Sequence, residues 1–166
     1  MHKKSRKTVP VVGTVFLLVT GLAFALLTSR ICTLFKSASE PVQDPARYEE
    51  VLAEYDGGPK AVAHFPPHIP ETAAAVELYY TRRFLQGGSC LRLRYRLPLS
   101  ELEAVTQQYR SIAQHIENGK PFDIPDDFQV FYLENSESPD WNGYAYGVAV
   151  SLERQEVIYW AEDVRT

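Results

Sequence analysis

The longest uncharged stretch of the chain lies near its N-terminus, from Thr8 to Ser29. As an α-helix, these 22 residues would extend roughly 33 Å, enough to cross a hydrocarbon core about 30 Å thick. Four basic residues precede the stretch and only Arg30 and Lys36 follow it closely, which predicts a cytoplasmic N-terminus. We therefore predict a basic cytoplasmic tail over residues 1–7, a transmembrane anchor over residues 8–29 and an extracytoplasmic remainder.

A cleaved signal peptide is the alternative to a retained anchor. Its apolar region would be shorter, about 7 to 15 residues, and would end promptly at a small-x-small site. The sequence offers such a site at Ser37-Ala38-Ser39, ten residues beyond Leu27. We favour the anchor because the apolar run is too long for a signal peptide and the cleavage site lies too far beyond it. Cleavage would instead release a secreted domain.

Acidic residues are confined to the part of the chain that follows the predicted anchor. Residues 1–39 contain six basic residues and no acidic one, so residues 40–166 contain eleven basic and all twenty-one acidic residues, a net charge of −10. Such an acidic region repels nucleic acid, and we expect no nucleic-acid partner. After a juxtamembrane stalk over residues 30–44, residues 45–166 have the size of one ordinary domain.

The domain is predicted to begin with a helix from Pro45 to Tyr55. Asp44 is a typical N-cap residue, proline suits the first helical position, and Gly57-Gly58 is a stop signal. Further on, three prolines within residues 66–70 exclude a helix and favour an extended path.

Two runs of alternating residues between Val76 and Leu97 predict a β-hairpin. They flank Gly87-Gly88, a pair that provides the positive φ angles of a tight turn. With the turn centred there, one face is apolar apart from Arg82, and its opposed pairs are Phe84 with Leu91, Arg82 with Leu93, Tyr80 with Tyr95 and Leu78 with Leu97. The opposed pairs of the other face are Leu85 with Cys90, Arg83 with Arg92, Thr81 with Arg94 and Tyr79 with Arg96. Four arginines therefore share one surface.

A second helix is predicted from Leu99 to Gly119, covering the apolar face of the hairpin. Ser100 followed by Glu103 is typical of a capping box, apolar residues recur at helical spacing, and His115 lies near the C-terminal end. Three strands follow, over residues 128–134, 144–152 and 156–161. The order α-β-β-α-β-β-β predicts an α+β domain with an antiparallel sheet and its helices on one side.

The arginine-bearing face is the candidate site for binding an anion or a partner. It consists of Arg83, Arg92, Arg94 and Arg96, with Tyr79 beside them. Like charges opposite each other destabilise a sheet unless a negative group lies between them. Internal carboxylates, from the first helix or the C-terminal strands, are the commoner partners of half-buried arginines. The functional alternative is an external anion held by guanidinium groups, such as a phosphate-bearing envelope polymer, a lipid headgroup or a carboxylate of a partner.

The sequence lacks the common motifs of catalysis. It contains no G-x-S-x-G, H-E-x-x-H, C-x-x-C, P-loop or dinucleotide fingerprint. Cys90 would need a nearby histidine and a positive setting to act as a nucleophile, and we interpret it as structural. His64 and His68 have the spacing of a helical metal pair, which loses its meaning on a non-helical backbone. We therefore expect no metal and no cofactor, and we lean against an enzyme.

The sequence favours a single-pass membrane protein whose outer domain is a binding or assembly module. Its expected partners are membrane lipid, through the anchor, and a protein or anionic envelope component, through the arginine-bearing face. An extracytoplasmic hydrolase or thiol enzyme is the alternative. A sensory domain is a third hypothesis, which the tiny cytoplasmic tail disfavours.

Overall fold

The computed structural model describes residues 40–55, 58–83, 88–119, 124–133 and 144–163. The predicted tail, anchor and most of the stalk fall on residues 1–39, outside the described residues. Within the described ranges, no helix has the length and apolar character needed to cross a membrane.

The described part of the chain contains one antiparallel sheet of six strands and two α-helices. A short 3₁₀-helix (Pro45–Arg47) leads into α1 (Tyr48–Ala53), and α2 is Leu99–Ile112. The strands are β1 (Ala74–Thr81), β2 (Cys90–Arg96), β3 (His115–Asn118), β4 (Gln129–Tyr132), β5 (Tyr144–Ser151) and β6 (Glu156–Asp163). The strand order across the sheet is β1-β2-β6-β5-β4-β3, with every neighbouring pair antiparallel. The predicted α+β class is confirmed.

The first helical segment forms where the capping signals predict it. Asp44 accepts a hydrogen bond from the Ala46 N–H at 3.0 Å, and Pro45 opens the 3₁₀-helix. This satisfies one of the backbone donors that a helix start leaves unpaired. Tyr48 and Val51 face inward and are buried.

The second helix differs from its prediction at both ends. It begins at Leu99 after Pro98, without a side-chain cap, so the predicted capping box at Ser100 does not form. It ends at Ile112, since Ala113 has extended backbone angles, and His115 lies in the edge strand β3 instead of near the helix end. The chain forms a strand here because β3 supplies backbone hydrogen-bond partners to the outer edge of β4. Another helical turn would bury little apolar surface, since Ile112 is already 55% exposed.

The β1–β2 hairpin forms in a different register from the predicted one. Leu78 pairs with Leu93, Tyr80 with Leu91, and the last pair is Thr81 with Cys90. Between Glu77 and Thr81, each β1 residue thus faces a partner four positions earlier than predicted, and the opposition of Arg83 and Arg92 was wrong. Because a shift of four residues is even, every side chain in the strands keeps its predicted face.

The larger hydrophobic core lies between one face of the sheet and the helices. The strands β1 and β2 contribute the fully buried face that the alternation predicted, namely Leu78, Tyr80, Leu91, Leu93 and Tyr95. The helices cover it with Tyr48, Val51, Leu102 and Tyr109. The sheet therefore carries its helices on one side, as expected.

Residues 60–70 form a proline-rich strap over this core. Tyrosine hydroxyls hold the strap by its backbone: Tyr48 Oη donates to the Pro66 carbonyl at 2.6 Å, and Tyr109 Oη donates to the His64 carbonyl at 2.5 Å. The strap begins with turns, in which the Phe65 N–H donates to the Val62 carbonyl, and it contains no helix.

A second, smaller core lies on the opposite face of the sheet, over β4, β5 and β6. Its buried residues are Ile124, Phe128, Val130, Tyr132, Ala149, Ile158 and Trp160. The Trp160 ring lies over Gly147, where a Cβ would come within 2.6 Å of the ring and would also collide with the Phe131 carbonyl oxygen. Glycine at this position therefore lets the indole pack against the strand backbone.

Candidate binding groove on the arginine-bearing face

A groove of about 450 Å³ lies on the open face of the sheet, beside the smaller core. Its charged lining consists of Arg92, Arg94, Arg154 and Glu77. Its remaining wall is largely apolar, with Tyr79, Ile124, Pro125 and Ile158. We call it the arginine groove.

Three of the five predicted site residues line this groove, and two do not. Tyr79, Arg92 and Arg94 are brought together because Tyr79 pairs across the strands with Arg92, and Arg94 with Glu77. Arg83 lies beyond the end of β1, and Arg96 projects as an exposed residue at the far end of β2.

Arg94 is committed in part to internal carboxylates. Its Nε donates a hydrogen bond to Glu156, and its Nη1 lies 3.6 Å from Glu77 Oε2. The hydrogen bond with Glu156 is the main cause that raises the pKa of Arg94 above its ordinary value. Glu156 is only 3% exposed, so this guanidinium neutralises a carboxylate that has little access to water. Arg94 therefore stabilises the fold as well as lining the groove.

Arg154 enters the groove from the turn between β5 and β6. It holds Asp127 in a bidentate pair, with Nε 2.5 Å from Oδ2 and Nη2 2.9 Å from Oδ1. Ser151 Oγ also donates to Asp127, at 3.0 Å. The hydrogen bond from Arg154 is the first cause that lowers the pKa of Asp127. This cluster joins the Ile124–Phe128 segment to the turn and so fixes one wall of the groove.

Sequence reasoning missed Arg154 and Asp127. The two residues lie 27 positions apart and on separate connections, and no periodicity joins them. Only the packing of the segment that carries Asp127 against the sheet places them together.

Arg92 occupies the centre of the arginine-bearing face. It is half-buried on β2, between Tyr79 of β1 and Trp160 of β6. It is close enough to Glu162 to lower the pKa of that carboxyl, although burial outweighs it and leaves the pKa of Glu162 raised. Arg92 thus lies within a mixed-charge surface and not within an isolated cluster of cations.

Charges in and under the groove are closely balanced. The guanidinium groups of Arg92, Arg94 and Arg154 are matched by the carboxylates of Glu77, Asp127 and Glu156. The network therefore supplies the internal neutralisation that like-charged strands require. A guanidinium has five N–H donors, and these carboxylate contacts use only part of that capacity at Arg94 and Arg154.

Cys90 is the first residue of β2, opposite Thr81 of β1 and Glu162 of β6, and its setting opposes nucleophilic chemistry. Burial, followed by the negative charge of Glu162, raises the pKa of the Cys90 thiol to about 11, although Arg92 acts in the opposite direction. At neutral pH the thiol is then protonated, whereas the thiolate is the reactive form.

The two histidines of the strap do not converge. His64 Nε2 lies 3.0 Å from the Trp160 carbonyl oxygen, whereas His68 Nδ1 lies 2.7 Å from Glu49 Oε1. Across the described ranges, no three His, Cys, Asp or Glu side chains form a group suited to holding a metal ion.

Comparisons of the chain with protein-family models, with curated proteins and with solved structures gave no match.

Proposed function

We propose that the protein is a single-pass membrane protein whose extracytoplasmic domain is a binding module, with the arginine groove as its contact surface. The ligand class is an anionic group, a carboxylate or a phosphate, on a protein partner or an envelope component. The observation that carries the proposal is the concave site itself, in which Arg92 and Arg94 lie beside Tyr79 and an apolar wall.

The composition of the groove supports recognition of a group joined to an apolar or aromatic body. Arginine donors suit the planar oxygens of a carboxylate or the oxygens of a phosphate. Tyr79 is 41% exposed, and tyrosine combines a large apolar ring with a polar hydroxyl, as residues at binding surfaces commonly do. Because Asp127 and Glu156 hold Arg154 and Arg94 in place, the site needs little reorganisation before binding.

The groove is tested by replacing Arg92→Gln in the full-length chain and recovering partners from detergent-solubilised membranes. Arg96→Gln is the matched control, because Arg96 is on the same strand and face but outside the groove. We expect Arg92→Gln to lose retained partners at least tenfold and Arg96→Gln to retain them. Equal retention by both variants would overturn the groove as the contact surface.

The chemical class is tested by competition. Inorganic phosphate and acetate are each added to the wild-type pull-down at matched ionic strength. Selective release by phosphate indicates a phosphate-bearing ligand, and selective release by acetate a carboxylate. Release that follows ionic strength alone contradicts a specific anion site.

The membrane topology rests on the apolar run and its flanking charges, and it is tested separately. We expect protease added to sealed cells to digest the domain while leaving the N-terminal tail protected. Digestion only after lysis would reverse the orientation, and a mature chain that begins near Glu40 would replace the anchored protein by a secreted one.

A further inference from the structure

The outer edge of the sheet at β3 has features of a self-complementary interface. β3 is the last strand in the sheet order and pairs with β4 on one side, while no described strand pairs with its other side. Ile116, at the middle of this edge, is 37% exposed. A strand edge with free backbone groups is a template for pairing with another strand.

The direction of the backbone groups follows from the pairing with β4. The Gly119 N–H donates to the Phe128 carbonyl at 3.0 Å, and the register pairs Glu117 with Val130. Since these groups alternate along a strand, residues 115, 117 and 119 direct their N–H or C=O groups toward β4. The N–H and C=O of Ile116 and Asn118 therefore point away from the sheet.

The side chains of β3 are complementary to those of a second β3 strand that runs antiparallel to it. If two copies pair antiparallel about Ile116, each Ile116 faces the other, and each His115 faces Glu117 of the second copy. The two Ile116 residues then form a hydrogen-bonded pair through their outward backbone groups. His115 and Glu117 form the closer, non-hydrogen-bonded pairs, where side chains interact most strongly.

The two polar side chains that this pairing would use already lie together in one copy. His115 Nε2 lies 3.6 Å from Glu117 Oε2 within the chain, and both side chains are about 40% exposed. Tyr132 Oη donates to Glu117 and so holds that carboxylate on the edge. When a second copy pairs about the two-fold axis, His115 of each copy lies opposite Glu117 of the other.

We propose that β3 pairs with β3 of a second copy, so that the two sheets continue into one antiparallel sheet. This interface is isologous, because the same three residues, His115 to Glu117, contribute on both sides. A four-residue strand supplies few hydrogen bonds, so the dimer is expected to be weak and to depend on the protein concentration.

The first test uses two full-length chains, one with His115→Glu and one with Glu117→Lys, which carry different affinity tags in detergent. Alone, the first variant sets glutamate against glutamate across the axis and the second sets histidine against lysine, so each should associate with itself at least tenfold less than the wild type. Mixed together, the variants place the introduced glutamate of one chain against the introduced lysine of the other and restore association. Undiminished self-association of both variants, or no recovery on mixing, would overturn the proposal.

The second test separates edge pairing from contacts elsewhere, including contacts between anchors. Ile116→Pro removes the outward N–H and adds a group that edge strands tolerate, while Ile116→Thr keeps the N–H and a β-branched side chain. We expect the proline variant to unfold cooperatively like the threonine variant but to associate at least tenfold less. Equal association of these two variants contradicts the interface.

Discussion

The two faces of the sheet are covered by different kinds of side chain. On the helix-covered face, strands and helices bury apolar and tyrosine side chains, and the tyrosine hydroxyls reach backbone carbonyls of the strap. On the open face, β4, β5 and β6 carry a small core, whereas β1 and β2 carry arginines balanced by carboxylates. Most of the apolar burial in the described residues therefore lies on the helix-covered face, whereas the β1–β2 part of the open face is polar.

The largest effect should come from the helix-covered face. Leu93 is fully buried there, and Leu93→Ala is expected to lower the free energy of unfolding by about 2–5 kcal/mol, through lost burial and the remaining cavity. Chemical denaturation measures it. Leu152→Ala is the control, since Leu152 is 46% exposed and should change stability by less than about 0.5 kcal/mol. Equal losses in the two variants would contradict the placement of the main core.

A pH-dependent loss of stability should also originate on that face, at His64. Burial is the main cause that lowers the pKa of His64 from its ordinary value of 6.5 to about 4, and its ring stacks on Tyr146. The folded state therefore favours the neutral ring, so its contribution is complete above pH 6.5 and is lost as the pH falls toward 4. The loss should reach at most about 3 kcal/mol.

Stability measured between pH 7 and pH 4 checks this behaviour. His64→Gln should flatten the dependence, because glutamine does not titrate. His68→Gln is the matched control, since His68 is in the same strap but exposed beside Glu49. A wild-type slope in the His64 variant would show that other groups cause the acid sensitivity.

A smaller effect is expected on the open face when Arg94 is changed. Arg94→Gln leaves the buried Glu156 without its cation, and we expect a loss of about 1–3 kcal/mol in the free energy of unfolding. Adding Glu156→Gln should recover part of that loss, because the buried charge is then removed. Additive losses in the double variant would show that the two residues stabilise the fold independently.

Sequence pattern predicted the sheet faces better than the strand partners. Alternation on β1 and β2 placed Tyr80 and Leu93 in the core and Arg92 and Arg94 on the open face, and the structure confirms these positions. The same alternation cannot distinguish registers that differ by an even number of residues. The pairing therefore depended on the assumed turn at Gly87-Gly88, and it was four positions wrong.

The helix that was predicted to reach Gly119 shows a similar limit. Apolar residues recur at helical spacing through Ile112 and Ile116, but the pairing of residues 115–118 with β4 ends the helix at Ile112. Local spacing contains no information about a strand that arrives later in the chain. Hydrogen bonding between β3 and β4 therefore overrides the local helix propensity of residues 113–118.

The sequence by itself determined the charge division of the chain, the α+β class, the helix start after Asp44 and the faces of the hairpin. These features depend on composition or on short-range periodicity. Only the tertiary structure decided the hairpin register, the edge strand β3 and the union of Arg92 and Arg94 with Arg154 in one groove. Those outcomes depend on contacts between residues far apart in the chain. The free energies of such contacts cannot be read from a local sequence pattern.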